Sequence, residues 1–218
     1  MTTGVKNSVT AKVICLTGGI ASGKSSAARF LKEQGAHVID ADILGHQVYD
    51  PGMPAHAQVV AAFGNEVLAA DGKIDRKVLG GKVFGKPAEL KKLTDIVWPA
   101  IGAMAEAEIA RARGAGTARV IVLEAAVLFE AGWHDRGDET WVVVVDRETA
   151  IARAMQRDHS TRAMVESRLD AQLSNAERVA RANVVIDNNG VMEEMLAQLR
   201  RHWQRLNSAA FPGNGNAA

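Results

Sequence analysis

The chain has 218 residues, 47% of them apolar and 23% charged, which suits a globular protein with a sizeable core. Its 26 basic and 25 acidic residues leave a formal charge of +1, excluding a globally basic binder of nucleic acid or membrane surfaces. A single cysteine, Cys15, excludes an internal disulfide framework and a cysteine-built zinc cluster.

The first ten residues, MTTGVKNSVT, carry neither the apolar segment of a secretory signal nor the arginine pattern of a transit peptide. The longest apolar stretch, VIVLEAAVLF, is about half a membrane span and contains Glu124. A soluble, cytoplasmic protein is expected, with no membrane partner.

VICLT (13–17) reads as the first strand, with Cys15 as a buried structural thiol inside it. A helical pattern over 24–34, closed by Gly35, precedes a second strand at HVI (37–39). From 43 to 118 the pattern is helical with no convincing strand, including a long helix from Pro87 to about Arg113. Strands return at RVIVL (119–123), TWVVVV (140–145) and NVVI (183–186), separated by helical patterns over 148–158, 162–173 and 191–206. Most of these strands are continuously apolar, as strands covered on both faces are. The alternation predicts an α/β fold: a five-stranded parallel sheet flanked by helices. One domain, 11–206, is expected. Its core is 11–42, 119–146 and 176–206, with a helical insertion at 43–118 and a further helical segment at 147–175. The breaker-rich end, 207–218, is expected to be a disordered tail.

Between the first strand and the first helix lies Gly18-Gly19-Ile20-Ala21-Ser22-Gly23-Lys24-Ser25, which fits G-x-x-x-x-G-K-[ST] at every fixed position. Glycines let backbone N–H groups turn inward around phosphate oxygens, and the following helix points its positive end at the same anion. Lys24 then reaches the β- and γ-phosphates, and the Ser25 hydroxyl is placed to ligate Mg²⁺. A P-loop site for a nucleoside triphosphate is predicted, its contacts running from Gly18 through Ser26.

Other residues refine this. Asp40 and Asp42 follow the second strand at its carboxyl end, where ligands of open parallel sheets bind. Both can face the phosphates, or one can serve as a helix N-cap. Glu124 ends an apolar strand, placed either to meet Mg²⁺ and its water shell or to cap the next turn. Seven arginines, Arg147, Arg153, Arg157, Arg162, Arg168, Arg178 and Arg181, crowd the stretch 147–181. One to three of them should serve transferring phosphates from a helical lid, the rest forming a solvated face. Arg168 and Gln172, four apart, should share a helix face. The six histidines show no metal-ligand spacing, and no basic–aromatic interleaving marks a nucleic-acid surface.

Taken together, LTGGIASGKSS, HVIDAD, GHQVYDPGMPAHAQVVAAFG, DGKIDRKVLGGKVFG, IVWPAI, VLFEAGW, Arg168-x-x-x-Gln172 and VVIDNNG resemble the dephospho-CoA kinase family from about Val13 to Trp203. Ile96-Val-Trp-Pro99 and Glu130-Ala-Gly-Trp133 look closer to the kinase half of the eukaryotic bifunctional CoA synthase. The resemblance implies a P-loop kinase fold and transfer of the ATP γ-phosphate, with Mg²⁺, to the ribose 3′-hydroxyl of dephospho-CoA. It further implies that 43–118 is a CoA-binding insertion and 147–175 a lid, with Asp42 as base, Asp40 beside Mg²⁺, Arg168 as the lid arginine, and Asn188 where adenine is held. A phosphopantetheine adenylyltransferase, the other half of the eukaryotic fusion, is the implied functional partner. The chain departs from bacterial members in carrying Trp98 where they have histidine, Ala125-Ala-Val-Leu128 in place of V-P-L-L, and His159 in place of glycine. These departures bear on substrate contacts rather than on the reaction. The rivals are another small-molecule or nucleotide kinase, and a non-enzymatic nucleotide-binding module. No N-K-x-D segment supports a guanine-nucleotide switch.

Overall fold

The computed structural model describes residues 11–208. Strands β1 (Lys12–Gly18), β2 (His37–Asp40), β3 (Val120–Glu124), β4 (Glu139–Val144) and β5 (Val184–Asp187) form one sheet in the order β2-β3-β1-β4-β5. The ladders of β1 with β3, β1 with β4, and β4 with β5 are parallel. The helices are α1 (Lys24–Glu33), α2 (Ala41–Gln47), α3 (Pro54–Phe63), α4 (Arg76–Val83), α5 (Pro87–Ala115), α6 (Arg147–Asp158), α7 (Arg162–Asp170), α8 (Asn175–Val179) and α9 (Met192–Ser208).

The apolar strands need cover on both faces, and the helices supply it. Ile14 and Leu16 of β1 join a core with Ala27, Leu31, Met195 and Leu199 from α1 and α9. Val13 and Cys15, one residue out of phase, point to the opposite face, where the Cys15 thiol meets the carbonyl of Trp133 at 3.5 Å. Burial pushes that thiol up to about 12, so it stays protonated and inert. β5 lies at the sheet edge and alternates, with Val184 and Ile186 buried while Val185 and Asp187 are exposed. The register puts Glu124 beside Leu16, Gly18 beside Val143, and Asp187 beside Val144. Three connecting loops therefore leave the sheet from the same edge as the glycine-rich segment.

By compactness the chain divides in two, one unit running to Ile39 and resuming at Arg111, the other spanning Asp40–Ala110. The second unit is helical as expected, apart from a single antiparallel bridge, Leu68 with Ile74. On α5, Leu93, Val97, Ile101, Ala105 and Ile109 recur every four residues and are all buried. Lys92 donates to the Ala62 carbonyl (2.6 Å) and lies over the Phe63 ring.

Two boundaries differ from expectation. Helix α9 runs to Ser208, two residues into the expected tail, with the Asn207 side-chain amide and the Ser208 hydroxyl donating to the carbonyls of Trp203 and Gln204. The remainder of that tail lies outside the described residues. Helix α7 stops at Asp170 with Ala171 as its C-cap, so Gln172 lies in the turn beyond and does not share a helix face with Arg168.

The end of α9 is pinned to β4 by Arg205, whose guanidinium donates to both oxygens of Glu139 at 2.9 and 2.5 Å. Trp141 Nε1 donates to the same carboxylate at 3.0 Å. These bonds, Arg205 foremost, hold the Glu139 carboxyl below its ordinary 4.5. A depressed folded-state pKa gives stability that is present above the unfolded value and lost as pH falls through the folded one. Glu139→Gln is therefore expected to be less stable than the parent in urea unfolding at pH 7, with the difference shrinking steadily below pH 4.5. A gap unchanged between pH 7 and pH 3 would count against the assignment.

Candidate active site

Gly18 closes β1 where the neighbouring strand leaves no room. A Cβ there would stand 2.6 Å from the carbonyl oxygen of Val143 and collide with Ser22 Oγ. Gly23 holds φ at 97°, a left-handed value, and a Cβ on it would strike Asn188 Nδ2. With those two glycines in place the segment turns sharply, Ser22 N–H donating to Gly19 O at 3.1 Å, and Gly23 becomes the N-cap of α1. No acidic side chain occupies the first turn of α1, so its positive end is left for an anion.

Three distant parts of the first unit brace this loop. Asn188, buried after β5, donates from Nδ2 to Ser22 O at 2.7 Å. Gln172, past the end of α7, accepts from Ile20 N–H at 3.1 Å through Oε1. Ile20 and Ala21 pack against the small apolar cluster of Ile151, Ala154 and Val165 from α6 and α7. Asn188, expected near adenine, is thus first of all a support of the phosphate loop.

Glu124 resolves the choice left open by its position. Its buried Oε1 sits 3.0 Å from Lys24 Nζ and accepts from Ser25 Oγ at 3.0 Å. The carboxylate therefore neutralises the loop lysine and orients the loop serine, and it does not cap the next turn. Serine hydroxyl and carboxylate are the hard oxygen donors Mg²⁺ prefers. Among the described residues no group of three or more His, Cys, Asp or Glu could hold a metal ion. One or two protein oxygens, completed by substrate phosphates, is the usual Mg²⁺ arrangement, and this site fits it.

Asp40 and Asp42 separate in role. Asp40 Oδ1 accepts from Asp42 N–H (2.8 Å) and Ile43 N–H (3.2 Å), making Asp40 the N-cap of α2. Asp42 stands exposed in the first turn of that helix.

The arginines sort by partner. Arg147 pairs with Asp170, Arg162 with Glu148 and Glu166, and Arg153 donates to Asn188 O. Asp158 takes both Arg157 and Arg168, the latter at 3.3 Å. Arg178 is different, being only 2% exposed. Its Nη1 donates to Leu173 O and lies 3.3 Å from where a Gly19 Cβ would be. Its Nε and Nη2 are buried without a partner. Burial, opposed in part by Glu130 and then Glu177, lowers its pKa from the ordinary arginine value. Together with Gly19, Ile20, Ser22 and Gln172 it lines a cavity of about 230 Å³. A signal for it did exist in the sequence. Ser174-Asn-Ala-Glu177 is a capping box, which anchors the short helix carrying Arg178.

The chain matches the family described as dephospho-CoA kinase over residues 12–194. A dephospho-CoA kinase of Geobacter sulfurreducens is 49% identical over 193 residues, covering 88% of this chain and 98% of that protein. One from Thermobifida fusca is 40% identical over 191 residues, covering 88% and 94%. Among solved structures, TT1252 from Thermus thermophilus superposes with a TM-score of 0.76 at 30% identity, covering 89% of this chain and 97% of that one. The dephospho-CoA kinase from Campylobacter jejuni gives 0.69 at 25% identity, covering 91% and 98%. Shikimate kinase from Acinetobacter baumannii, at 0.51 and 12% identity over 92% of this chain and 95% of that one, shares the fold.

If Asn188 braces the loop through Ser22 O, Asn188→Ala should weaken ATP binding by about tenfold, the effect of losing one buried hydrogen bond of ~1–3 kcal/mol. Calorimetric titration with ATP measures this. An unchanged Kd in a folded variant would remove Asn188 from the site.

Proposed function

The chain belongs to the dephospho-CoA kinase family, and we propose that it transfers the γ-phosphate of ATP to the ribose 3′-hydroxyl of dephospho-CoA, giving CoA. The observation that carries the reading is the loop lysine and serine gathered on buried Glu124, with a buried arginine lining the same loop.

Phosphoryl transfer asks the protein chiefly to position the reactants and neutralise charge. The loop amides and the α1 N-terminus hold the phosphates, and Lys24 turns from Glu124 to the β- and γ-oxygens. Ser25 and Glu124 would hold Mg²⁺, which when bound offsets charge on those oxygens. Asp40, whose Oδ1 caps α2, fixes the start of the helix that carries Asp42. Asp42 accepts the hydrogen bond of the attacking hydroxyl and takes its proton late in transfer. Arg178 neutralises the transferring group. Arg168, latched to Asp158, contributes to lid closure. Closure of α6 and α7 over the loop excludes the water that would hydrolyse ATP. Both substrates are water-soluble and no described helix is long and apolar enough to cross a membrane, in keeping with a cytoplasmic enzyme. A phosphopantetheine adenylyltransferase would supply the acceptor.

The decisive experiment is ATP turnover with dephospho-CoA against shikimate, gluconate and nucleosides as acceptors. Turnover with dephospho-CoA at least tenfold above every alternative is expected, and preference for another acceptor would reject the assignment. Within it, Arg178→Ala should lower kcat by on the order of 10³-fold, as loss of an arginine on the transferring phosphate does. Arg168→Ala should do much less, and the reverse ranking would return the phosphate role to Arg168.

Asp42→Asn keeps the size and removes the basicity. Binding of ATP and dephospho-CoA should be nearly unchanged by calorimetry, with kcat down at least ~100-fold. Near-normal kcat in the folded variant would leave Asp42 without a chemical role.

A further inference from the structure

Arg76, the first residue of α4, reaches back to α2. Its Nη1 donates to His46 Nδ1 and its Nη2 to Gly45 O, the latter at 3.3 Å. The guanidinium carbon lies 5.4 Å from the centroid of the Tyr49 ring. Three contacts thus hold a side chain that is nevertheless exposed, as is His46. None of these partners carries a negative charge. Other exposed arginines end on acids: Arg147 on Asp170, Arg162 on Glu148, Arg205 on Glu139. Asp75, the neighbour of Arg76, has its carboxylate turned to the amides of Lys77 and Val78 as N-cap of α4.

A guanidinium carries more N–H donors than Gly45 and His46 take, and its planar fork matches the oxygens of a phosphate. A ring nitrogen that accepts from arginine holds its proton on the other nitrogen, so His46 Nε2 is a further donor. Position on α2 says which phosphate is meant. His46 follows Asp42 by four residues and shares its helix face. A helical turn rises ~5.4 Å, and the 3′-oxygen of a ribose stands about that far from the phosphorus on its own 5′-carbon. The helix then ends at Val48, which lines a groove of about 550 Å³ with Met53, Pro99, Ala103 and Met104. Carboxylate, cation and apolar groove therefore follow one another along α2. Hydroxyl, diphosphate and a long uncharged arm follow in the same order along dephospho-CoA.

We propose that Arg76, oriented by Gly45, His46 and Tyr49, binds the diphosphate of the acceptor and so sets the 3′-hydroxyl one helical turn away, at Asp42. The inference rests on reading the chain as a kinase of dephospho-CoA. It makes Arg76 a specificity residue, favouring acceptors that carry a 5′-diphosphate over bare nucleosides. The role is separate from that of Asp42, which acts on the attacking oxygen itself.

The test compares kcat/KM for dephospho-CoA and for an analogue whose diphosphate is replaced by an uncharged linker of the same length, in the parent, Arg76→Ala and Arg76→Gln. The parent should favour dephospho-CoA by about a hundredfold, the upper worth of a hydrogen bond to a charged group. In Arg76→Ala that preference should shrink about tenfold or more, because an interaction already lost cannot be lost twice. The change should appear as a raised KM for dephospho-CoA, with kcat and the KM for ATP near those of the parent. Arg76→Gln keeps a stem over Tyr49 and an amide donor for Gly45 while removing the charge. It should behave alike, and it serves where the alanine variant does not fold. A full preference in either folded variant overturns the proposal, as does its absence from the parent. A fall in kcat with the preference intact overturns it too, leaving Arg76 only a brace for α2. Failure of the parent to phosphorylate dephospho-CoA at all would instead overturn the functional reading on which the proposal stands.

Discussion

The bond from Asn188 to the carbonyl of Ser22 closes a circuit that the rest of the first unit depends on. A glycine-rich loop has few ways to hold itself, having one internal turn bond, Ser22 N–H to Gly19 O, and little side-chain packing of its own. Its rigidity must come from outside. Here it comes from the end of β5, from the turn after α7 through Gln172, and from the apolar seat of Ile20 and Ala21. Parallel pairing is what makes this possible, since it delivers the carboxyl ends of β1, β3, β4 and β5 to one edge. Residues 166 positions apart then meet within hydrogen-bond distance. Without the sheet order the glycines would be merely flexible, at a cost of ~0.5–1 kcal/mol each relative to alanine.

Positive charge is the second constraint. The α1 N-terminus, Lys24 and Arg178 concentrate at one loop, and with no anion bound they would repel one another in a poorly solvated place. Glu124 sits among them with a single oxygen serving both Lys24 and Ser25. Such a buried pair is weak evidence for stability, because desolvation of both partners offsets most of their attraction. Its value is in the exchange it allows. On the proposed reading an incoming triphosphate would take over Lys24 and leave the carboxylate beside Ser25 to face a cation.

Much of this was legible in the sequence, and the parts that were not share a cause. Continuous apolar runs marked the five strands, and the glycine–lysine–serine spacing marked the loop, because burial and phosphate binding each impose a local pattern. Roles set by partners distant in the chain were not legible. Asp40 and Asp42 are equivalent in the sequence, and only the backbone geometry at the start of α2 makes Asp40 the cap. Arg168 and Arg178 are equally arginine. Asp158 claims the first, while burial within α8 leaves the second lining the loop. Gln172 read as a helix-face residue because periodicity carries no mark of where α7 stops, and the Ala171 cap frees it to reach Ile20 instead.

The seat of Ile20 and Ala21 gives the loop a second function beyond holding phosphate. These two residues occupy the unconstrained x positions of the glycine motif, yet they belong to the same cluster as Ile151 and Val165 of α6 and α7. Ala21 holds a positive φ of 56°, uncommon for a residue with a Cβ, and does so while in that cluster. A loop that carried polar residues there would bind phosphate as well but would not touch the helices above it. With Ile20 and Ala21 in place, the loop and the helices α6 and α7 share one packed cluster. Cores pass from one packing arrangement to another and do not deform smoothly. Two apolar residues in the middle of the phosphate loop therefore seat it directly on the arginine-bearing helices.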